Sequence, residues 1–115
     1  MEERLPTWVW VDALLRRVSA DGAAAFVRQR GDAERGDVVI KVADMAGGGW
    51  VFVPRTNLEG QRVFVDLAGQ GVGPEEAEAE AYVARSMSRD RDVWVIEIED
   101  RDGRHFLTEP VEKTS

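Results

Sequence analysis

The sequence contains no cysteine and a single histidine, His105, which narrows the available chemistry. Without cysteine there are no disulfides, no thiolate nucleophile and no thiolate metal site. A Ser-His-Asp system would have to use His105, and none of the serines lies at the sharp strand-to-helix turn that positions a hydrolase nucleophile. The residues therefore predict no catalytic constellation and no cofactor.

Long apolar runs and an excess of positive charge are also lacking. No run is long enough to span a membrane, and the chain does not begin with the basic and apolar pattern of a signal peptide. Lys and Arg number 15 against 22 Asp and Glu, a formal net charge of −7. This charge repels phosphate backbones and argues against nucleic-acid or anionic-membrane binding, although a local basic patch could overrule it. A soluble cytoplasmic protein is the expectation.

The composition instead describes one folding unit. The chain has 115 residues, of which 43% are hydrophobic, and it includes four tryptophans. Such a chain buries about two-thirds of its unfolded surface, which is enough for one core. We expect a single domain over residues 1–107. A C-terminal tail is expected over residues 108–115, because this segment carries a proline and few apolar residues.

Helical periodicity marks a first helix near the N-terminus. Apolar side chains recur at helical spacing from Trp8 to Val18, which predicts a helix with Thr7 as its N-cap and an end before Gly22. A short strand over residues 8–11, followed by a helix, is the alternative, since tryptophan and valine are mediocre helix formers.

A second helix is predicted from Pro74 to about Arg89. Proline suits the first helical position, and glutamates in the first turns with arginines in the last turn complement the helix dipole. A stripe of small side chains is expected to lie against the sheet: Ala77, Ala81, Ala84 and Ser88.

Five segments carry strand signals: residues 23–30, 38–42, 50–53, 62–67 and 93–98. The first is ambiguous because its three alanines also suit a helix. The glycine-bounded loop from Gly31 to Gly36 favours a strand, which would form a hairpin with the second segment. The last segment is the strongest signal, and we expect it in the interior of the sheet with Trp94, Ile96 and Ile98 on one face.

The element order α-β-β-β-β-α-β predicts an α+β fold with two helices and a five-stranded, mostly antiparallel sheet. The last strand follows a helical crossover and can run parallel to a neighbour. Several strands are apolar on both faces, so the two helices can cover opposite faces. If both helices covered one face, the bare face would predict a dimer.

The segment after the last strand is acidic and contains the sequence Asp100-Arg-Asp-Gly103. Asp-Gly is typical of a tight hairpin turn, which needs glycine for a positive φ. The alternative is an enzyme or ligand-binding domain that uses this acidic strand end, with Glu99, Asp102 and His105 around a divalent ion. Their spacing matches no known ligand signature.

Basic and aromatic residues concentrate toward the start of the chain. The candidate binding residues are Trp8, Trp10, Arg16, Arg17, Arg28 and Arg30, and Lys41 follows them. If the first helix lies beside the first strand, these side chains can converge on an anion or an acidic protein partner, and their composition is common in interaction hot spots. The simpler interpretation is that the arginines are solvated and paired with Asp12, Asp32 and Glu34. Nucleic-acid binding through the arginines is the weakest hypothesis, because of the net charge.

Three segments resemble a family of short proteobacterial proteins classed as a domain of unknown function. They are Trp-Val-Asp-Ala-Leu-Leu-Arg-Arg (Trp10 to Arg17), Arg30-Gly-Asp32, and the stretch from Asp92 to Leu107. The resemblance implies a compact α/β domain in a bacterial cytoplasm, and it implies no activity, ligand or catalytic residue. Taken together, the sequence predicts a non-catalytic protein that acts through contacts with another protein or with a second copy of itself.

Overall fold

The computed structural model describes residues 4–113, so residues 1–3 and residues 114–115 of the predicted tail lie outside it. The elements are α1 (Thr7–Ala20), β1 (Ala24–Gln29), β2 (Val38–Ala43), β3 (Gly49–Thr56), β4 (Arg62–Asp66), a 3₁₀ turn (Leu67–Gln70), α2 (Glu76–Arg89), β5 (Trp94–Glu99) and β6 (Val111–Lys113). The first predicted helix is confirmed over the strand alternative, and residues 24–29 form the predicted strand.

The strands form one six-stranded mixed sheet in the order β1-β5-β2-β3-β4-β6. The pairs β1–β5, β2–β3 and β3–β4 are antiparallel, whereas β2–β5 and β4–β6 are parallel. The prediction of five mostly antiparallel strands was therefore wrong. The sixth strand comes from the segment expected as a tail, because the Phe64 amide donates to the carbonyl of Pro110 at 2.9 Å and Val111 then pairs with Phe64. Without β6, β4 would present an open edge.

The predicted hairpin between β1 and β2 does not form, because β5 lies between them. Ile98 of β5 pairs with Ala25 on one side and with Val42 on the other. The side chains from Trp94 to Ile98 are all buried, which requires a helix layer on each face of the sheet. The backbone of β5 is paired on both edges, with β1 and with β2. The expected interior position of this strand and its parallel alignment with a neighbour are both confirmed.

Helix α1 covers one face of the sheet. Val11, Leu14 and Val18 are buried against a core that includes Trp94 and Ile96. The first free amides of α1 are satisfied by the carbonyls of residues 33 and 34. Thr7 is not the N-cap, which is Pro6, because the Thr7 hydroxyl instead donates to the carbonyl of Gly36 at 2.8 Å.

Helix α2 covers the opposite face, where the core combines Val39, Val51, Val95 and the helix residues Ala79 and Val83. Both faces are therefore covered, and the bare face that would have predicted a dimer is not formed.

The start and orientation of α2 differ from the prediction. The helix begins at Glu76 rather than Pro74, because the Pro74 carbonyl accepts from the amide of Gly49 at the start of β3. The small-residue stripe, including Ala77 and Ala81, is exposed. The helix instead turns Ala79, Val83 and two of its glutamates toward the sheet, where cations meet these glutamates.

Candidate functional site

The six predicted binding residues do not converge on one site. Arg28 alternates with Val27 along β1, and Val27 packs against the core under α1. Arg28 therefore projects from the other face of the sheet, toward α2. The remaining five residues lie on α1 or beside it, but they face different neighbours. The structure brings Trp8 and Arg30 together and separates them from the others.

Trp8 and Arg30 line a depression of about 180 Å³ between α1 and β1. The Trp8 side chain is 49% exposed, and the Arg30 guanidinium lies 4.9 Å from the centroid of the buried Trp94 ring. Within residues 4–113, Arg30 takes part in no ion pair. We call this depression the Trp8 surface; its residues are Trp8, Val11, Asp12, Leu15, Val27, Arg30 and Trp94.

Trp10 lies on another side of α1, because residues two apart on a helix point about 200° apart. Its ring stacks on Phe64 with centroids 5.6 Å apart and planes at 20°. The indole Nε1–H donates to Oε2 of Glu109 at 2.7 Å. This hydrogen bond holds the segment before β6 against α1.

Arg16 and Arg17 contact different partners. Arg16 forms an exposed ion pair with Asp12 at 3.1 Å, one of the pairings that the simpler interpretation predicted. The Nε of Arg17 donates to the carbonyl of Phe106 at 3.2 Å, and one buried terminal nitrogen of Arg17 has no hydrogen-bond partner among residues 4–113. Neither arginine points into the Trp8 surface.

A cluster of five charged residues lies between the sheet and α2: Arg28, Lys41, Glu76, Glu80 and Glu97. Lys41 is only 2% exposed, and its Nζ lies 2.8 Å from Glu80 and 3.5 Å from both Glu76 and Glu97. Arg28 donates to both oxygens of Glu80, at 2.5 and 2.9 Å, and to Glu97 at 3.0 Å. Sequence reasoning missed this cluster. Its signals are a lysine inside the apolar strand run and glutamates four residues apart on one helix face.

The charges in this cluster hold one another ionised. The hydrogen bond to Glu80 raises the pKa of Arg28, and the same contact lowers the pKa of Glu80 to about 2. Burial lowers the pKa of Lys41, but its three carboxylate neighbours more than offset this, and the net shift is upward. A lysine that acts as a nucleophile or base needs a lowered pKa. The cluster is therefore suited to fixing α2 on the sheet rather than to catalysis.

The Asp-Gly turn is stabilised by hydrogen bonds between Asp100 and Arg104. The amide of Gly103, which has φ of +69°, donates to the carbonyl of Asp100 at 2.9 Å. The buried Asp100 carboxylate accepts from the backbone amide, Nε and Nη2 of Arg104 at 2.8 to 3.0 Å. The turn joins no hairpin, because the chain continues irregularly to β6 rather than returning along β5.

The three residues of the metal alternative do not lie together. The His105 ring meets Phe52, in the core under α1, with centroids 5.2 Å apart. Glu99 follows Ile98 in β5 and so projects from the opposite face, while Asp102 is exposed in the turn. Among residues 4–113, no three His, Cys, Asp or Glu side chains are arranged to hold a metal ion. Metal binding stays a prediction without geometric support.

His105 acts locally in the structure. Its Nδ1 accepts the backbone N–H of Leu107 at 2.9 Å, which requires an unprotonated Nδ1. Burial lowers the pKa of His105, and the nearby Asp66 partly opposes this shift.

These features define a class of protein: a small α+β domain with a mixed sheet covered on both faces and with a cluster of paired charges between the sheet and α2. The chain belongs to the family described as "Protein of unknown function (DUF1491)", whose model matches residues 5–108. The resemblance noted from the sequence is thereby confirmed.

Solved structures share the fold, and two of those described below come from this family. A crystal structure of a DUF1491 family protein from Caulobacter crescentus is 44% identical, covers 95% of this chain and 100% of its own, and has a TM-score of 0.86. A solution NMR structure of a DUF1491 family protein from the same organism gives 43% identity, 96% and 99% coverage, and a TM-score of 0.82. The protein Atu0922 from A. tumefaciens is 25% identical, with 98% and 100% coverage and a TM-score of 0.74. The search of curated proteins gave no match.

The length and composition of the two helices show whether either could cross a membrane. Within the part of the chain that the structure describes, neither helix has the length and apolar character needed to cross a bilayer.

Proposed function

We propose that this chain is a non-catalytic protein-interaction domain of the cytoplasm, and that the Trp8 surface receives the partner. The observation that supports the proposal is that a half-exposed tryptophan, Trp8, lines the same depression as Arg30, whose guanidinium takes part in no ion pair within residues 4–113. Trp and Arg dominate the residues whose truncation weakens protein complexes most.

The chemistry of the surface defines the partner. Leu15 and Val27 are half-buried beside Trp8 and supply an apolar wall. The ring of Trp94 fixes the Arg30 guanidinium by a cation–π contact, so little side-chain freedom is lost when its N–H groups meet a carboxylate. A volume of about 180 Å³ admits one side chain. The expected partner therefore presents an aliphatic or aromatic residue next to Asp or Glu.

The other charged groups support a non-catalytic role. Lys41 and Arg28 are paired with glutamates, and Asp100 is paired with Arg104. Arg16, Arg17, Arg28 and Arg30 are spread over two faces of the sheet, so they present no continuous basic track for a phosphate backbone.

The test compares single substitutions on one purified partner. The partner is captured from the native cell under gentle conditions, identified, produced separately, and titrated calorimetrically against each variant. We expect Trp8→Ala to weaken binding roughly tenfold or more, and Arg30→Gln to weaken it by several-fold, because both are hot-spot residue types. The matched control is Arg85→Gln, which removes the same charge from an exposed position of α2, on the opposite face of the sheet. A partner that binds Trp8→Ala as tightly as the wild type would contradict the proposal.

Self-association is the second predicted kind of contact, and one observation favours it. In the described part of the chain, β1 is paired along one edge only, with β5, and Phe26 on β1 is 45% exposed. A free strand edge can pair with a second copy. Sedimentation velocity over a range of concentrations measures this directly. A dimer that Phe26→Lys dissociates would assign the β1 edge to self-association, and a monomer at every concentration would exclude it.

A further inference from the structure

A second cavity lies on the other side of α1, beside Trp10. It has a volume of about 210 Å³. Trp10 and Phe64 form one wall as a stacked pair, and Leu5 and Val38 add aliphatic surface. We call it the Trp10 cleft; its residues are Arg4, Leu5, Thr7, Trp10, Gly36, Val38, Arg62, Phe64 and Glu109.

The size of the cleft limits its occupant. A dry cavity of about 150 Å³ is sufficient to take up benzene, whereas sites for drug-sized ligands and cofactors measure about 300 to 1,000 Å³. A cleft of about 210 Å³ therefore suits one aromatic ring or a short alkyl chain. It is too small for a nucleotide.

The charges of the cleft favour an anion. Arg4 and Arg62 line it together, and burial and the nearby Arg62 charge lower the pKa of Arg4, with Arg35 adding to the shift and Asp37 opposing it. The ion pair between Arg62 and Asp37 is long, at 3.4 Å, and the Asp37 side chain is 64% exposed, so the pair is weak and can open. The remaining acid, Glu109, accepts the Trp10 indole N–H and keeps its negative charge, so the two arginines leave the lining with a net charge of +1 (2 − 1). An added carboxylate would relieve the repulsion between the two arginines.

We propose that the Trp10 cleft binds a small monocarboxylic acid that carries one aromatic ring or a short alkyl chain. The apolar body packs on Trp10 and Phe64, and the carboxylate is held by Arg4 and Arg62. This site is independent of the proposed protein-interaction surface, which lies on a different side of α1.

The test uses phenylacetate as the probe and phenylacetamide as its uncharged counterpart of nearly the same shape. Each is titrated into uniformly ¹⁵N-labelled protein, and the indole N–H of Trp10 and the backbone amides of Leu5 and Arg62 are followed by NMR. We expect saturable shifts at these positions, with phenylacetate binding about tenfold more tightly than the amide, because a charged hydrogen bond contributes about that factor. Hexanoate in place of phenylacetate tests the alkyl form of the ligand.

Charge-removing variants locate the anion. Arg62→Gln is expected to weaken phenylacetate binding about tenfold while leaving phenylacetamide binding unchanged. Arg55→Gln, an exposed arginine outside the cleft, is the matched control and should leave both affinities unchanged. The proposal is overturned if phenylacetate causes no shift at the Trp10 indole up to about 10 mM, a concentration that detects binding weaker than millimolar. Equal affinity for acid and amide in the wild-type protein, which needs no variant to fold, would also overturn it.

Discussion

The Nζ of Lys41, in the middle of β2, lies 2.8 Å from Oε1 of Glu80 on α2. Lys41 is almost completely buried at 2% exposure, so its ammonium must be compensated by protein groups rather than by water. Glu80 also accepts from Arg28, and in this way one helix carboxylate joins β1 and β2 to α2. This relationship explains why α2 turns a charged residue, rather than its alanine stripe, toward the sheet.

Replacing Lys41 by methionine should destabilise the protein although it keeps most of the apolar side chain. The substitution leaves three carboxylates with Arg28 as the remaining cation of the cluster. Removing one partner of a buried ion pair is destabilising because the other charge stays buried without compensation. Because Glu76 and Glu80 are partly solvated, we expect a loss of about 2–3 kcal/mol in the free energy of unfolding. Urea unfolding followed by tryptophan fluorescence measures it.

The control for this substitution is Asp12→Asn, which breaks the exposed Asp12–Arg16 pair. Exposed pairs at this helix spacing contribute roughly 0.3–0.5 kcal/mol, so the control should change stability little. An equal effect of the two substitutions would show that the buried cluster is not specially stabilising.

The stability contributed by Glu80 should depend on acid pH. The Arg28 contact lowers the pKa of Glu80 from 4.5 to about 2 in the folded protein. The unfolded chain therefore takes up a proton below about pH 4.5 while the folded protein remains ionised, so this contribution is complete above pH 4.5 and is lost as pH falls toward 2. Solvent screening of the half-exposed carboxylate limits the contribution to about 1–2 kcal/mol.

Glu80→Gln should remove this contribution, so the stability difference from the wild type should shrink between pH 5 and pH 2.5. The matched control is Glu78→Gln, which removes the same charge from an exposed position of α2. Denaturant unfolding at a series of pH values measures the difference. A difference that stays constant across this pH range would contradict the expected pKa shift.

The single histidine gives a clean titration. Burial beside Phe52 lowers the pKa of His105 below 6.5, so its imidazole should titrate at a lower pH in the folded protein than in urea. Because the unfolded state binds the proton more readily, the stability that His105 contributes is complete above pH 6.5 and is lost as pH falls toward the folded pKa. NMR of the ring nitrogens reports both states without assignment ambiguity. A folded midpoint at or above 6.5 would contradict the burial seen in the structure.

Asp100 should be structurally required while Asp102 is dispensable. Asp100→Asn weakens three hydrogen bonds from Arg104, and we expect the Tm to fall by roughly 4–8 °C. Asp102→Asn changes an exposed side chain and should leave the Tm nearly unchanged. Differential scanning calorimetry measures both.

Calorimetry of the wild type and of His105→Ala, with and without divalent cations, tests the metal alternative. Because Asp100 is engaged with Arg104 and His105 faces Phe52, we expect no stabilisation specific to a divalent cation. A metal-dependent rise in Tm that disappears in His105→Ala would contradict this expectation and support a site built on Glu99, Asp102 and His105.

The sequence alone determined where the helices and most strands lie, because local periodicity records which side chains of a segment are buried. The helical spacing of apolar residues from Trp8 to Val18 was sufficient to predict α1. The apolar run that ends at Ile98 was sufficient to predict the interior position of β5. Both faces of the sheet could be expected to be covered, since adjacent residues in several strands are apolar. Family membership was also readable from the motifs around Trp10 and Asp92.

Tertiary structure alone decided the strand order, the sixth strand and the grouping of the site residues. Alternation along a strand fixes the face of each side chain but not the neighbouring strand, so the insertion of β5 between β1 and β2 left no local signal. A three-residue strand such as Val111–Lys113 becomes a strand only by pairing with β4. Arg28, Lys41, Glu80 and Glu97 come from four elements that meet only after folding. Their separation from Trp8 and Arg30 follows from sheet and helix geometry, which sequence proximity does not encode.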